Sequence, residues 1–430
     1  MMHLYKRLLE HIDGKTLAFF SKINIYGFGL LVFWTVANIT LLPTRVDETA
    51  PRQLQGSALG LISFLGVGFA VFIQPIAGRL SDAWPGADKR RPFIIAGTLL
   101  VIPGLILFGA ARGFTILLLG FILMQLATNI SQAGFQAFIP DLVDEDQRGI
   151  ASGVKNILSV LGTAFGLIGA QALFAINASS TWVVLYIGTV LVITGALTVI
   201  WVPRISGKRS GRWREAITTA LSPHNVREEV SGTLREHAMF RFGVLAQFLF
   251  MLGTYPAQRF LLLFLRDRFG DNAISLAAIG GLLAIVLAIA AAGVAGVLSD
   301  IIGRSKVLIG TAIIGSFGMI LIGFSPTLSF AAVAGGLIAA GYGAFLSVNW
   351  ALLNDDLPEG QSAAALGVAN IATAGAGAMA GLFGPIVDVM NAIFPQGTYE
   401  VLFGVAGIVA ALSIWPLRRI STEGLDEQGG

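Results

Sequence analysis

The sequence predicts an all-α integral membrane protein with twelve transmembrane helices arranged as two parallel six-helix repeats. Three observations predict it: the chain is 55% apolar and 12% charged, its apolar runs are long, and motifs of the first half recur in the second. Soluble domains carry about 25% charged residues, so water cannot surround this surface throughout. At about 20 residues per span, the apolar content of the 430 residues suffices for roughly twelve spans.

The spans follow from apolar runs that are bounded by charged or turn-forming residues. Residues 1–21 contain a basic amphipathic stretch and lack the short apolar core of a cleaved signal peptide, so we expect an interfacial helix there. The twelve candidate spans lie near 22–42, 56–80, 93–111, 114–138, 150–175, 181–203, 241–265, 273–298, 306–324, 328–352, 362–387 and 399–417.

The distribution of basic residues predicts the orientation. With the N-terminus inside, cytoplasmic segments hold 22 of the 28 lysines and arginines, and the outer segments hold 6. We therefore expect a multi-pass protein of the plasma membrane with both termini in the cytoplasm. The basic charge serves topology, which excludes nucleic acid as a partner.

One long polar stretch, 204–240, divides the chain into two halves. It predicts an N-terminal six-helix bundle over 1–203, a cytoplasmic linker over 204–240, a C-terminal bundle over 241–417 and a cytoplasmic tail over 418–430. The chain has no cysteine, and its four histidines lie in the polar N-terminus or the polar middle. Disulfides, cysteine-bound metals and a membrane-embedded histidine site are thereby excluded, so we expect no cofactor, no metal and no enzymatic activity.

Internal repeats support the division into halves. The motif Gly78–Asp82 after the second span recurs as Gly296–Asp300 after the eighth. A shift of 214 residues then aligns 141–157 with 355–371, with eight identities in 17 positions, among them Asp141 with Asp355. Two parallel six-helix repeats are an architecture of membrane transporters.

These motifs resemble those of the major facilitator superfamily. Gly78–Asp82, with the basic residues that close the same loop, is similar to the superfamily's signature between the second and third spans. Arg90-Arg91-Pro92-Phe93 resembles the motif of plant sucrose carriers and related bacterial glycoside permeases. The resemblance implies the major facilitator fold and an alternating-access permease. It also implies that the loop charges hold a cytoplasmic gate, although anchoring the topology alone would also explain them. The predicted gating residues are Asp82, Arg90, Arg91, Asp141, Arg148, Asp300, Arg304 and Asp355.

Polar side chains within the spans predict a binding site, because they are costly in lipid and usually face a cavity or another helix. Four amides of the fourth span are spaced 4, 3 and 4 residues apart and share one helical face. Amides and aromatic rings suit a neutral, hydroxyl-rich solute. The alternative is that the amides join neighbouring helices. The predicted substrate-binding residues are Trp34, Asn38, Gln125, Asn129, Gln132, Gln136, Tyr255, Gln258, Tyr342, Asn349 and Trp350.

Arg259 allows two interpretations. Its side chain extends to the outer interface, or it lies at the outer vestibule and pairs with a substrate oxygen or with Asp388. Glycine pairs such as Gly162 with Gly166, and Gly377 with Gly381, predict close helix packing.

No aspartate or glutamate lies in the middle of a span, although cation symporters of this kind commonly need one. Coupling to a proton or a sodium ion is therefore in doubt. We expect a monomer whose partners are a small-molecule solute and the lipid bilayer.

Two rivals stay open. One is efflux of amphiphiles, drugs or lipids, suggested by four phenylalanines that could line a cavity: Phe33, Phe135, Phe250 and Phe345. The other is a non-transporting membrane scaffold or assembly factor on the same fold.

Overall fold

The fold is helical throughout the part of the chain that the computed structural model describes: residues 14–144, 147–206, 232, 234–235, 237–270, 272–355, 362–394 and 397–426. Twelve stretches within these residues are long and apolar enough to cross a membrane. The predicted all-α protein with twelve spans is confirmed. Most of the predicted linker, together with residues 1–13 and 427–430, lies outside the described residues.

The first half of the chain contains eight described helices, two of them short. Pro92 stands in the first turn of α4, where its missing N–H costs no hydrogen bond. The helices are α1 (Gly14–Thr35), α2 (Leu42–Thr49), α3 (Gln55–Asp82), α4 (Arg91–Ala110), α5 (Phe114–Gln136), α6 (Phe138–Leu142), α7 (Arg148–Ala175) and α8 (Ser180–Trp201).

The second half contains eight further described helices. Gly303 separates α10 from α11 at a φ of 95°, a conformation that favours glycine because it has no Cβ. The helices are α9 (Ala238–Phe269), α10 (Asn272–Ile302), α11 (Arg304–Gly323), α12 (Leu328–Asp355), α13 (Ser362–Met379), α14 (Phe383–Ile393), α15 (Thr398–Ala411) and α16 (Ile414–Asp426).

Two spans change their helix type close to a proline. A π-helical turn, Val36–Leu41, joins α1 to α2 just before Pro43. A 3₁₀ turn, Ala380–Leu382, joins α13 to α14 just before Pro385. Proline cannot donate a backbone hydrogen bond and clashes with the preceding turn, so the backbone adjusts there.

The described chain forms two compact units that do not coincide with its two halves. Unit 1 comprises Met1–Leu41 and Phe72–Leu221, and unit 2 comprises Leu42–Val71 and Ser222–Gly430. Residues 42–71, which belong to the first half by sequence, thus pack with the second half. The linker at 204–240 stays a prediction from the sequence, because most of it lies outside the described residues.

Aromatic side chains fill the cores of the units. In unit 2, Phe250 and Phe345 stack with ring centroids 4.1 Å apart. In unit 1, Phe33 and Phe135 are likewise buried. The expectation that these four phenylalanines line a cavity is wrong, because each is packed among the helices of its own unit.

Apolar side chains also cover the outside of the helices. Leu99, Ile106 and Leu119 are exposed in unit 1, as are Val294 and Ile301 in unit 2. Such a surface is unfavourable in water but matches the hydrocarbon of a bilayer. It agrees with the twelve spans.

Candidate functional site

The loop motif between α3 and α4 forms a compact polar cluster within unit 1. Arg90, whose side chain is 5% exposed, donates through Nη2 to Asp82 at 2.6 Å and through Nε to Asp141 at 2.7 Å. Its Nη1 donates to the Oγ of Ser81 at 2.9 Å. Lys89 adds a second cation 3.3 Å from Asp141. These five residues, the Arg90 cluster, connect the end of α3 to the start of α4 and to α6.

The other two predicted basic residues of this loop region make different contacts. Arg91 pairs with Asp88 at 3.1 Å and donates to the carbonyl of Val202 at the end of α8. Arg148 donates to the carbonyls of Val143 and Pro140, both at 3.2 Å. Both arginines therefore hold backbone ends in place within unit 1.

The corresponding motif of the second half is described in part. Asp300 and Arg304 pair at 3.6 Å across one helical turn, and the Asp300 side chain is 63% exposed. An exposed pair of this kind contributes at most about 1 kcal/mol. The Asp355 side chain lies outside the described residues. Among the described residues, the second motif therefore shows one exposed ion pair where the first shows the Arg90 cluster.

The four amides of α5 differ in their burial and in the hydrogen bonds that they make within the protein. Gln125 and Asn129 are buried, and the amide of Asn129 donates to the backbone and to the side chain of Gln125. Gln136 is exposed and accepts from Gln74 at 3.0 Å. Gln132 is half-buried, so we consider it the amide of this face best placed to bind a solute.

The predicted residues of the first span lie side by side on α1 and the π-helical turn. Asn38 donates to the carbonyl of Trp34 at 3.0 Å, one turn earlier. The Trp34 ring packs edge-on against Phe33 and Phe121. Both residues are half-buried, so each keeps one accessible edge.

Asn349 belongs to a buried network in unit 2. Its amide donates to Gln247 at 2.8 Å, and Gln247 in turn donates to Thr373. Trp350 packs against the apolar cluster that contains Phe240 and Leu353. For these two predicted binding residues the geometry therefore favours the alternative role of joining helices.

Tyr255, Gln258 and Tyr342 form a polar group, the tyrosine cluster, between α9 and α12 of unit 2. The hydroxyl of Tyr342 interacts with both Tyr255 and Gln258. Gln258 is exposed and the two tyrosines are half-buried. The structure thus brings together three residues that the sequence predicted separately.

Arg259 does not pair with Asp388. It lies ten residues from the end of α9, or about 15 Å along the helix. Its guanidinium donates to the Oγ of Ser63 and, at 3.2 Å, to the carbonyl of Gly377. The expected pairing with Asp388 is therefore wrong, because the guanidinium bonds to α3 and α13 instead.

Asp388 instead caps a helix. Its two carboxylate oxygens accept from the backbone N–H groups of Gly56 at 2.8 Å and Ser57 at 2.6 Å, at the start of α3. A carboxylate at a helix N-terminus satisfies free donors and matches the helix dipole. The contact joins residues 42–71 to α14 within unit 2.

A second contact on the same side strengthens this connection. Arg266 of α9 pairs with Asp47 at 2.8 Å and donates to Gln55 at 3.1 Å. We call Asp47, Gln55, Arg266 and Asp388 the outer cluster, because it lies on the side that the sequence assigns to the outside. The sequence did not predict that these four residues lie on one side of unit 2.

Glycines make the approach beside the outer cluster possible. A Cβ at Gly60 would collide with the carbonyl oxygen of Gly381, and one at Gly384 with that of Gly56. The predicted close packing of Gly381 is thereby explained. We call this close approach of Gly56 and Gly60 to Gly381 and Gly384 the seam. The spacing of Gly56 and Gly60, four residues apart, is the sequence signal that could have revealed it.

The chemistry available to these groups is binding rather than bond making. In the described part of the chain, no group of three or more histidine, cysteine, aspartate or glutamate side chains could hold a metal ion. The tyrosine cluster, Gln132 and Trp34 offer hydrogen bonds and aromatic faces. Such surfaces suit reversible binding of a small solute.

Comparison with known proteins identifies relatives of this arrangement. The profile of the Major Facilitator Superfamily matches residues 16–382. Sucrose transport protein SUC4 of Arabidopsis thaliana is 24% identical over 164 residues, covering 34% of this chain and 31% of that protein. The chain matches about a third or less of the length of its first curated relatives.

Solved structures show the same fold. The crystal structure of the nucleoside transporter NupG superposes with a TM-score of 0.71 at 12% identity and covers 94% of this chain and 98% of its own. A bacterial homolog of the human lysosomal transporter Spinster, inward-facing and occupied, superposes with a TM-score of 0.72 at 14% identity, covering 95% and 97%. At such identities the likeness establishes the fold alone.

Proposed function

The chain belongs to the Major Facilitator Superfamily, and we propose that it is a permease that moves a polyhydroxylated solute, a sugar or glycoside, by alternating access. The observation that carries the proposal is the tyrosine cluster. Tyr255, Gln258 and Tyr342 place hydroxyl and amide groups on spanning helices, with Gln258 exposed. Groups of this kind exchange hydrogen bonds with solute hydroxyls.

Unit 1 contributes its own set of groups. Trp34 and Gln132 are half-buried, and neither is needed by the buried pair of Gln125 and Asn129. An indole face packs well against the C–H face of a sugar ring. The proposal assigns solute contact to Trp34, Gln132 and the tyrosine cluster, and structural roles to the buried amides.

The relatives support the substrate class. Four plant proteins with significant local similarity are named sucrose transport proteins, with identities of 24% to 27%. Sucrose and simple glucosides are therefore the first solutes to test. We place the protein in the plasma membrane with both termini in the cytoplasm, because the basic residues follow that topology.

Transport without a coupled ion is part of the proposal. Asp388, the acid nearest to the seam at Gly56, is engaged by two backbone donors. The solute should therefore equilibrate across the membrane of proteoliposomes without accumulating, and its final distribution should not depend on a pH or sodium gradient. If accumulation disappeared when either gradient was collapsed, a coupling acid would have to exist.

The test is uptake of labelled solutes into proteoliposomes. We expect uptake of sucrose or another glycoside, and we expect Gln258→Ala and Gln132→Ala to reduce it. A hydrogen bond of about 0.5–1.5 kcal/mol corresponds to a reduction of about two- to tenfold. Asn349→Ala serves as the matched amide control, because it should alter stability rather than solute preference.

Efflux of amphiphiles is the main rival and makes the opposite prediction. It lost its support when Phe33, Phe135, Phe250 and Phe345 proved to be packed in the cores. Binding of amphiphiles without uptake of any glycoside would establish the rival and refute the sugar proposal.

A further inference from the structure

Arg259 is a cationic residue on a membrane-spanning helix, and its side chain contacts two other helices. It lies on α9, about 15 Å along the helix from its C-terminal end, between α3 and α13. Six apolar residues, 260–265, follow it before the next charged residue, Arg266, so it lies within the apolar part of the span. Charged side chains at such a depth are expensive and usually serve a function.

The partners of this cation among the described residues are neutral. The guanidinium donates to the hydroxyl of Ser63 and to the carbonyl of Gly377. Within the described residues no carboxylate lies within ion-pair distance of it, whereas Arg90, Arg266 and Arg268 each have one. Arg259 as a whole is half-buried, and a charge held even partly out of water without a counter-ion is costly.

One donor of Arg259 is also unused. Its Nε is buried and has no hydrogen-bond acceptor among the described residues. Buried polar groups are almost always hydrogen-bonded, so an orphaned donor on an uncompensated charge calls for an explanation. A ligand oxygen that carries negative charge would satisfy both requirements at once.

The surroundings connect Arg259 to the tyrosine cluster. Gln258 precedes it in the chain, and the ring of Tyr255, one turn earlier, lies beside Gly377, whose carbonyl accepts from Arg259. Tyr342 completes the group through its contacts with Tyr255 and Gln258. A solute that meets the hydroxyls of this cluster would therefore also meet the guanidinium.

We propose that Arg259 binds an anionic group of the transported solute, a carboxylate or a phosphate ester, so that the substrate is an acidic sugar rather than a neutral one. The inference rests on the proposed function and narrows its substrate class. The amides and aromatic rings of the spans favoured a neutral solute. The one enclosed cation without a counter-ion in the described part of unit 2 reverses that preference.

The test measures ligand-induced stabilisation of the purified full-length protein in a chloride-free buffer. The probes are methyl glucuronide, glucose 6-phosphate, methyl glucoside, acetate and inorganic phosphate. We expect at least one of the two acidic sugars to bind about tenfold or more tightly than methyl glucoside. Arg259→Gln should weaken that binding about 30-fold or more, since it removes one partner of an enclosed charge pair. Arg112→Gln, which removes an exposed arginine of the loop between α4 and α5, is the matched control and should change nothing.

The outcomes separate this inference from the proposed function. Equal binding of methyl glucoside and the acidic sugars, unchanged in Arg259→Gln, would overturn the inference and leave the sugar permease intact. Arg259-dependent binding of acetate or inorganic phosphate as tight as that of the acidic sugars would support the anion site and refute the sugar proposal. Stabilisation by none of the probes would overturn both.

A second variant covers the case in which Arg259→Gln does not fold. Arg259→Lys keeps the positive charge but loses the planar fork that matches a carboxylate. We expect it to bind the acidic sugar with intermediate affinity and methyl glucoside as the wild type does. An unchanged affinity for the acidic sugar in Arg259→Lys would contradict the proposed contact.

Discussion

Removal of the Asp388 carboxylate should loosen the seam between residues 42–71 and α14. The carboxylate accepts two backbone N–H groups at 2.8 and 2.6 Å, and both belong to the first turn of α3. Loss of a helix-capping side chain costs typically about 1 kcal/mol and at most about 2 kcal/mol. Asp388→Ala should therefore shift the equilibrium towards the open seam about 5- to 30-fold.

A single introduced cysteine can report this opening, because the natural chain contains no cysteine. Val387 is 2% exposed and lies against Gly56, so Val387→Cys is protected while the seam is closed. We expect its maleimide labelling rate to rise about 5- to 30-fold when Asp388→Ala is added. Asp388→Asn keeps one acceptor oxygen and should give a smaller increase.

Glu48→Ala is the matched control for this measurement. Glu48 lies in the same outer segment and pairs with Arg45 of its own helix, so its loss should leave the labelling rate within about threefold. A labelling rate in Asp388→Ala equal to that of the parent would refute the capping argument. An equal rise in Glu48→Ala would show that any lost charge has this effect.

Three further predictions concern packing and charge. Gly60→Ala should raise the maleimide labelling rate of Val387→Cys, because its Cβ would collide with the carbonyl of Gly381. Gly68→Ala should not raise it, because Gly68 has open space around it. Equal labelling rates in the two variants would contradict this prediction. Denaturation of the purified protein should show that Arg90→Ala lowers the free energy of unfolding by about 2–3 kcal/mol, because Arg90 is buried with its two aspartates. Arg304→Ala should lower it by no more than about 1 kcal/mol, because the Asp300 side chain of its pair is exposed. Equal losses in the two variants would contradict this difference. Gln247→Ala should lower the free energy of unfolding by about 1–3 kcal/mol, because it removes the acceptor of the Asn349 amide. Gln258→Ala should reduce solute uptake without lowering the thermal unfolding midpoint. A lower unfolding midpoint in Gln258→Ala would contradict the assignment of Gln258 to solute binding.

The spans were predictable from sequence because each depends on local composition. A run such as Ser180–Trp201 is apolar throughout and bounded by polar residues, so hydropathy alone locates it. The interruption Val36–Leu41 was not predicted. Its cause, Pro43, is visible in the sequence, but whether a proline bends, widens or ends a helix depends on the helices packed around it.

The candidate site was predictable only in part. Helical spacing correctly placed the amides of α5 on one face, yet it could not show that Asn129 and Gln125 bond to each other. The partners of Arg259 and Asp388 come from helices far away in the sequence: Ser63 is 196 residues from Arg259, and Gly56 is 332 residues from Asp388. Contacts of this kind depend on how the helices pack, which composition and spacing do not encode.

Solute counterflow tests the permease assignment most directly. Proteoliposomes are loaded with an unlabelled sugar or glycoside and then diluted into a trace of the same labelled solute, without any pH or sodium gradient. An alternating-access carrier predicts a transient accumulation of label inside above the outside concentration, reduced in Gln258→Ala. Label that only equilibrates, or does not enter for any neutral or acidic sugar, would contradict a sugar permease and favour a non-transporting role.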